Sequence, residues 1–110
     1  MEDLKIYQKM YDAINYIYIA VRQFPKSEKF CLAAEIKSQA IKIIRLIIAA
    51  NKSRSKFVKL YEIDVELEIL KLQTRMAMDL KFLPFNKYEI LSRQLVEVGK
   101  MLGGWIKCQG

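Results

Sequence analysis

AIKIIRLIIAANKSRSK, residues 40–56, is the stretch that decides the fold. It is strongly apolar, yet Lys42 and Arg45 sit inside it and Lys52, Arg54 and Lys56 close it. Such a run can be a membrane span, a buried helix, or a helix that buries one side and offers a basic edge. Its uncharged core, Leu46 to Ala50, falls far short of the ~20 residues a span requires. Lys42 and Arg45 would each cost about 2.5–3.5 kcal/mol at a bilayer centre. The spacing settles the remaining choice. Ile36, Ala40, Ile43, Ile47 and Ala50 recur at steps of four and three, the stripe of a helix with one buried face. Lys42, Arg45, Lys52 and Lys56 fall on a different edge, if the helix runs that far. Ile41 and Ile48 lie between stripe and edge, too apolar for open solvent, and are read as a subunit contact.

The same period recurs on both sides of this stretch. Met10, Ile14, Ile17 and Val21 predict a first helix over about residues 4–22, ended by Pro25. The second is predicted over about 27–52, with Ser27 as its N-cap and Glu28 near the positive end of its dipole. The third spans about 55–81, where Leu60, Ile63, Leu67, Leu70, Thr74 and Ala77 form a coiled-coil-like seam. The fourth spans about 87–102, with Asn86 as cap, Leu91, Leu95, Val98 and Leu102 as seam, and Gly103-Gly104 as its stop. Four helices joined by short breaks predict an all-α, antiparallel, up-down-up-down four-helix bundle, one domain over residues 1–110. A second apolar set on each helix, Leu72, Met76 and Leu80 among it, predicts a homo-oligomer.

The chain has 110 residues, 53% of them hydrophobic, with four glycines and two prolines, too few for a turn-rich β fold. Its net charge is +7. Residues 26–59 hold nine basic groups and two acidic ones, which accounts for the whole excess; the rest holds ten of each. A charge gathered into one segment points to a polyanion such as nucleic acid.

The chemistry of catalysis is largely missing. There is no histidine, so the usual general base and zinc ligand are lacking. Glycines are confined to residues 99–110, which rules out a phosphate loop. Glu62, Asp64, Glu66 and Glu68 concentrate acid early in the third helix, where the dipole favours it, and this explains them better than a metal. Cys31 and Cys108 lack metal-type spacing, and a reduced, cytoplasmic protein is the simpler reading. The acidic start MEDLK is unlike a secretory signal. No catalytic activity and no cofactor are expected.

Three strings carry a family likeness: FPKSEKF at 24–30, KLYEID at 59–64 and VGKMLGGWIK at 98–107. Together, in this order, they make the chain resemble the accessory variability determinant (Avd) of diversity-generating retroelements. That family sits within a larger group of four-helix bundles that includes the ribosomal-RNA intervening-sequence proteins. The resemblance implies a barrel-shaped homopentamer without a catalytic site. It implies binding to the retroelement's reverse transcriptase and to its template RNA and cDNA. By position, the family's basic pair on the third helix matches Lys71 and Arg75, and its C-terminal glycine and tryptophan pattern matches Gly99, Gly103 and Trp105. Lys71 stands where an arginine can occur; a lysine keeps the charge but lacks the bidentate fork. The nucleic-acid or polymerase surface is thus expected at Lys42, Arg45, Lys52, Arg54, Lys56, Lys71 and Arg75, and the oligomer contact at Ile41 and Ile48. The competing reading is an adaptor bundle of the intervening-sequence type that binds only protein.

Overall fold

The computed structural model describes residues 2–109. Four helices account for most of them: α1 (Glu2–Ala20), α2 (Leu32–Lys52), α3 (Phe57–Asp79) and α4 (Phe85–Gln109). There is no strand among the described residues. Each helix packs against two others. α1 lies against α2 and α4, and α3 against the same two, so sequence neighbours are spatial neighbours. With connections this short, that arrangement is an antiparallel four-helix bundle. It measures 43 × 23 × 18 Å.

The core is the set that helical spacing selects. Ile36, Ala40, Ile43, Ile47 and Ala50 of α2 are buried, as are Leu60, Ile63, Leu67, Leu70, Thr74 and Ala77 of α3. From α1 come Met10, Ile14 and Ile17, and from α4 Leu91, Leu95, Val98 and Leu102; Val21, expected in the α1 stripe, is only half-buried, because α1 ends at Ala20 and residues 21–23 form a 3-10 turn. The buried Thr74 hydroxyl donates to the Lys71 carbonyl one turn back at 3.0 Å, so it imposes no unmet polar group.

The helix ends differ from the sequence reading in instructive ways. α2 begins at Leu32, not near Ser27. Residues 26–28 form a 3-10 turn instead, with Pro25 before it. Between Phe24 and Leu32, both buried, the chain must cross from one helix axis to the next, and a tight turn makes that step. Glu28 serves the helix from outside: its carboxylate accepts the Leu32 N–H at 3.4 Å. Phe24 meets Phe82 of the α3–α4 connection at 5.9 Å between ring centroids, which ties the two links at this end of the bundle.

α3 ends two residues before the expected 81. Lys81 takes φ 65°. Its N–H donates to the Met78 carbonyl at 2.9 Å, and the Phe82 N–H to the Ala77 carbonyl at 2.9 Å. That pair of bonds is a Schellman ending, with a lysine where glycine is usual.

α4 starts at Phe85, because the Pro84 carbonyl accepts the Tyr88 N–H at 2.9 Å and so occupies the cap position. Asn86 is therefore inside the first turn rather than the cap. The stop expected at Gly103-Gly104 is not used. α4 runs on to Gln109, and Trp105 is buried in helical conformation rather than folded back as a tail. Burial of so large a side chain outweighs the ~1 kcal/mol that each glycine costs a helix.

Candidate nucleic-acid interface

The seven basic residues expected to form one surface are divided by the fold among three places. Lys42 and Arg45 line an open hollow between α1 and α2, together with Tyr18, Lys37, Ser38 and Ile41. Its volume is about 570 Å³. Lys52 and Arg54 lie exposed at the other end of α2, where the helix gives way to the loop. Lys71 and Arg75 are on α3, on the side towards α4: a Cβ added at Gly99 would come within 3.7 Å of Lys71 Nζ. In a square bundle that side is opposite the α1–α2 hollow.

Lys56 has a different occupation. Its ammonium donates to the carbonyls of Ala50 at 3.1 Å, Asn51 at 3.0 Å and Ser53 at 2.7 Å. These are the exposed carbonyls at the negative end of α2, so Lys56 acts as its cap. A lysine with three carbonyl partners has little left for a phosphate.

The remaining cations differ in how far they are engaged. Lys42 pairs with Glu66 at 3.3 Å, Lys71 with Glu68 at 3.4 Å and Arg75 with Asp79 at 3.8 Å. The last two pairs join residues of one helix with at least one largely exposed partner, and contribute little. Arg45, Lys52 and Arg54 form no ion pair among the described residues.

A second hollow of about 410 Å³ continues the first towards the α1–α2 connection, sharing Tyr18 and Lys37 with it. It adds Arg22, Lys26 and Lys29. Between them the two hollows hold six cations along one groove, while a third hollow that shares Ala34, Ser38 and Lys42 with the first brings Glu35 to the edge of the groove. Lys37 reaches over the Tyr18 ring, 5.1 Å from its centroid. Cations predominate along the groove, with Tyr18 and Phe24 in its lining, an arrangement that suits a phosphate chain with bases beside it. Lys37, Lys26, Lys29, Arg22 and Tyr18 were not among the expected site residues. The signal for three of them was in the sequence, because Lys26, Lys29 and Lys37 belong to the basic segment 26–59. Arg22 and Tyr18 come from another helix and join only through α1–α2 packing.

Of the two expected contact residues, Ile48 is exposed on α2. Ile41 is half-buried and lies in the groove between Lys37 and Arg45. The carboxylates of α3 do not converge. Glu66 turns towards α2, where its carboxyl is held below the usual range, first by the hydrogen bond from Gln39 and then by Lys42, against the opposing effect of burial. Among the described residues no group of three or more potential ligands is placed to hold a metal ion, and no helix is long and apolar enough to cross a membrane.

The family model described as bAvd-like matches residues 4–109. No curated protein matches the chain.

Proposed function

The chain belongs to the bAvd-like family, and from that premise we propose that it is a non-catalytic accessory protein of a diversity-generating retroelement that holds template RNA and its cDNA copy close to the reverse transcriptase. The family supports an accessory protein of retroelement type. The six cations gathered along the groove between α1 and α2 are the observation that carries the nucleic-acid part. Phosphates bound there are neutralised by Lys37, Lys42 and Arg45, with Arg22, Lys26 and Lys29 further along. Binding of this kind is driven by counterion release, so it is strongly salt-dependent and loosely specific for sequence. Lys52 and Arg54 extend the basic surface beyond the groove.

Lys71 and Arg75 take the polymerase contact in this reading. Their separation from the groove is useful: nucleic acid and enzyme then occupy different sides of one small bundle, which bridges them. The resemblance to Avd proteins implies five copies in a ring; Ile48, exposed on α2, is then towards a neighbour, while Ile41, expected beside it, lies in the groove and stays with the nucleic acid. A ring repeats the groove once per subunit, and weak phosphate contacts then add as avidity. The partners are those of the cytoplasm, and there the protein acts.

The test is fluorescence anisotropy with a labelled single-stranded RNA, titrated at several salt concentrations. The slope of log affinity against log salt is expected to correspond to several phosphates, at about −0.7 per phosphate. Lys37→Glu with Arg45→Glu is expected to abolish most of that binding. Lys71→Glu with Arg75→Glu is expected to leave RNA binding intact and remove co-purification with the reverse transcriptase. A folded protein that ignores RNA at low salt would leave the adaptor that binds only protein.

A further inference from the structure

The third hollow, of about 350 Å³, opens on the other side of α2, towards α3. Ala34, Glu35, Ser38, Gln39 and Lys42 line it from α2, and Gln73 lines it from α3. Ala34, Ser38 and Lys42 also line the first hollow, so they form the ridge between the two. Two of these side chains are small, which keeps the ridge low.

The linings on either side of the ridge differ in character. The groove offers cations, whereas the third hollow offers acceptors. Glu35 is exposed and forms no ion pair among the described residues. Gln73 Oε1 is buried and has no hydrogen-bond partner among them. Buried polar atoms are ordinarily paired, so an unmet acceptor beside an open hollow marks a place for an incoming donor. The last torsion of a glutamine is soft, and the amide turns towards the hollow at little cost. Gln39 is already spent, because its amide donates to Glu66. Lys42 pairs with Glu66, but an ammonium has three donors and keeps others for the rim of the hollow.

Glu35 repels phosphate, so the backbone of a bound strand keeps to the cations and only a neutral group enters the third hollow. In single-stranded RNA that group is a base turned out of the stack and read along its hydrogen-bonding edge. Two acceptors with a cation at the rim call for two donors beside one acceptor. Guanine presents N1–H and its N2 amino group beside O6. Adenine, cytosine and uracil each present a single donor group on that edge.

We propose that the third hollow takes a guanine base from the strand held in the groove. N1–H and the N2 amino group donate to the Glu35 carboxylate and Gln73 Oε1, and O6 accepts from Lys42. The inference rests on the nucleic-acid reading above and adds to it a preference for one base at one position. Phosphate contacts place the strand, and this hollow supplies the sequence preference.

Fluorescence anisotropy with labelled single-stranded RNA tests it. The probes are an oligouridine and the same oligomer with one central guanosine, inosine or adenosine. The guanosine probe is expected to bind about tenfold more tightly than the oligouridine, the discrimination that a good two-bond base contact gives. Inosine lacks the N2 amino group and is expected to lose most of that gain, and adenosine to show none. The gain involves no phosphate, so the ratio of the two affinities is expected to stay constant as salt lowers both. Glu35→Gln, at an exposed position, is expected to erase the preference without weakening oligouridine binding. Gln73→Met keeps the length of the side chain, removes the unmet oxygen, and is expected to reduce the gain without lowering stability. Failure of every probe to bind at low salt removes the nucleic-acid reading and this inference with it. Equal binding of the uridine and guanosine probes overturns the inference alone. A guanosine preference that survives both substitutions also overturns it, because the base is then read elsewhere.

Discussion

Gln39 on α2 donates its side-chain amide to Glu66 on α3 twice, to the main-chain carbonyl at 2.9 Å and to the carboxylate at 2.7 Å. Lys42, nearly one turn further along α2, closes on the same carboxylate at 3.3 Å. Close packing of the two buried stripes sets the spacing of the helices, and the directional bonds of this polar clamp add to it by holding one helix against the other. It also removes Glu66 from the acidic row of α3 and withdraws part of the charge of Lys42 from the groove.

The clamp makes stability depend on pH in a definite sense. The Glu66 carboxyl is held below the usual carboxylate range, chiefly by Gln39. A depressed carboxyl contributes stability above its unfolded value and loses it as pH falls through its folded value. Gln39→Ala is therefore expected to destabilise most at neutral pH, with the gap to the native protein narrowing below about pH 4. Urea unfolding at pH 7 and pH 3 reads this directly. An equal gap at both pH values would mean that Gln39 acts by packing alone.

Lys56 is expected to matter to the fold more than to RNA. Three carbonyls at the end of α2 converge on its ammonium. Hydrogen bonds to a charged group contribute about 1.5–3 kcal/mol when sheltered, and partial exposure here reduces that to about 1 kcal/mol. Lys56→Met should lower the unfolding free energy by that amount and leave RNA affinity within about twofold, the effect of losing one distant charge. A large loss of RNA affinity with unchanged stability would return Lys56 to the binding surface.

These residues also show what the sequence made legible. Helix cores were readable because burial follows a period of three to four, and Ile36 through Ala50 keep it without exception. The helix ends were less so. Ser27 and Asn86 have good capping side chains, but the caps went to Cys31 and Pro84, whose positions are set by where the chain crosses between helices. Trp105 reversed the stop signalled by Gly103-Gly104 through burial against other helices. The groove was half legible. Its α2 cations belong to one charged segment, while Tyr18 and Arg22 reach it only through packing. Lys56 looked like another member of the basic edge, because nothing in a linear charge count shows a lysine turning back onto carbonyls.

Lys81 carries a cost that substitution can remove. Its φ of 65° lies in the left-handed region, which costs a residue with a Cβ about 1–2 kcal/mol. Glycine adopts it freely but gains entropy when unfolded. Lys81→Gly should therefore stabilise the bundle by about 0.5–1 kcal/mol, measured by thermal or urea unfolding. Destabilisation would show that the lysine side chain contributes more than its backbone costs.

Gly103 offers a sharper case, because it separates the isolated bundle from the assembled one. It sits in the continuous helix α4, and a Cβ built there meets nothing within 4 Å. An alanine gains up to about 1 kcal/mol of helix preference without a clash. For a chain of this size that is a rise of about 4–8 °C in the thermal midpoint. Gly99 differs, since its Cβ would lie 3.6 Å from Leu67 Cδ2 and 3.7 Å from Lys71 Nζ, so an alanine there fits only in contact with α3. Gly103→Ala is expected to stabilise the folded chain. A stabilised chain that no longer co-purifies with the reverse transcriptase would mean that the bare backbone at Gly103 is approached closely by that partner. A fall in the midpoint would mean that α4 does not continue through Gly103 as an ordinary helix.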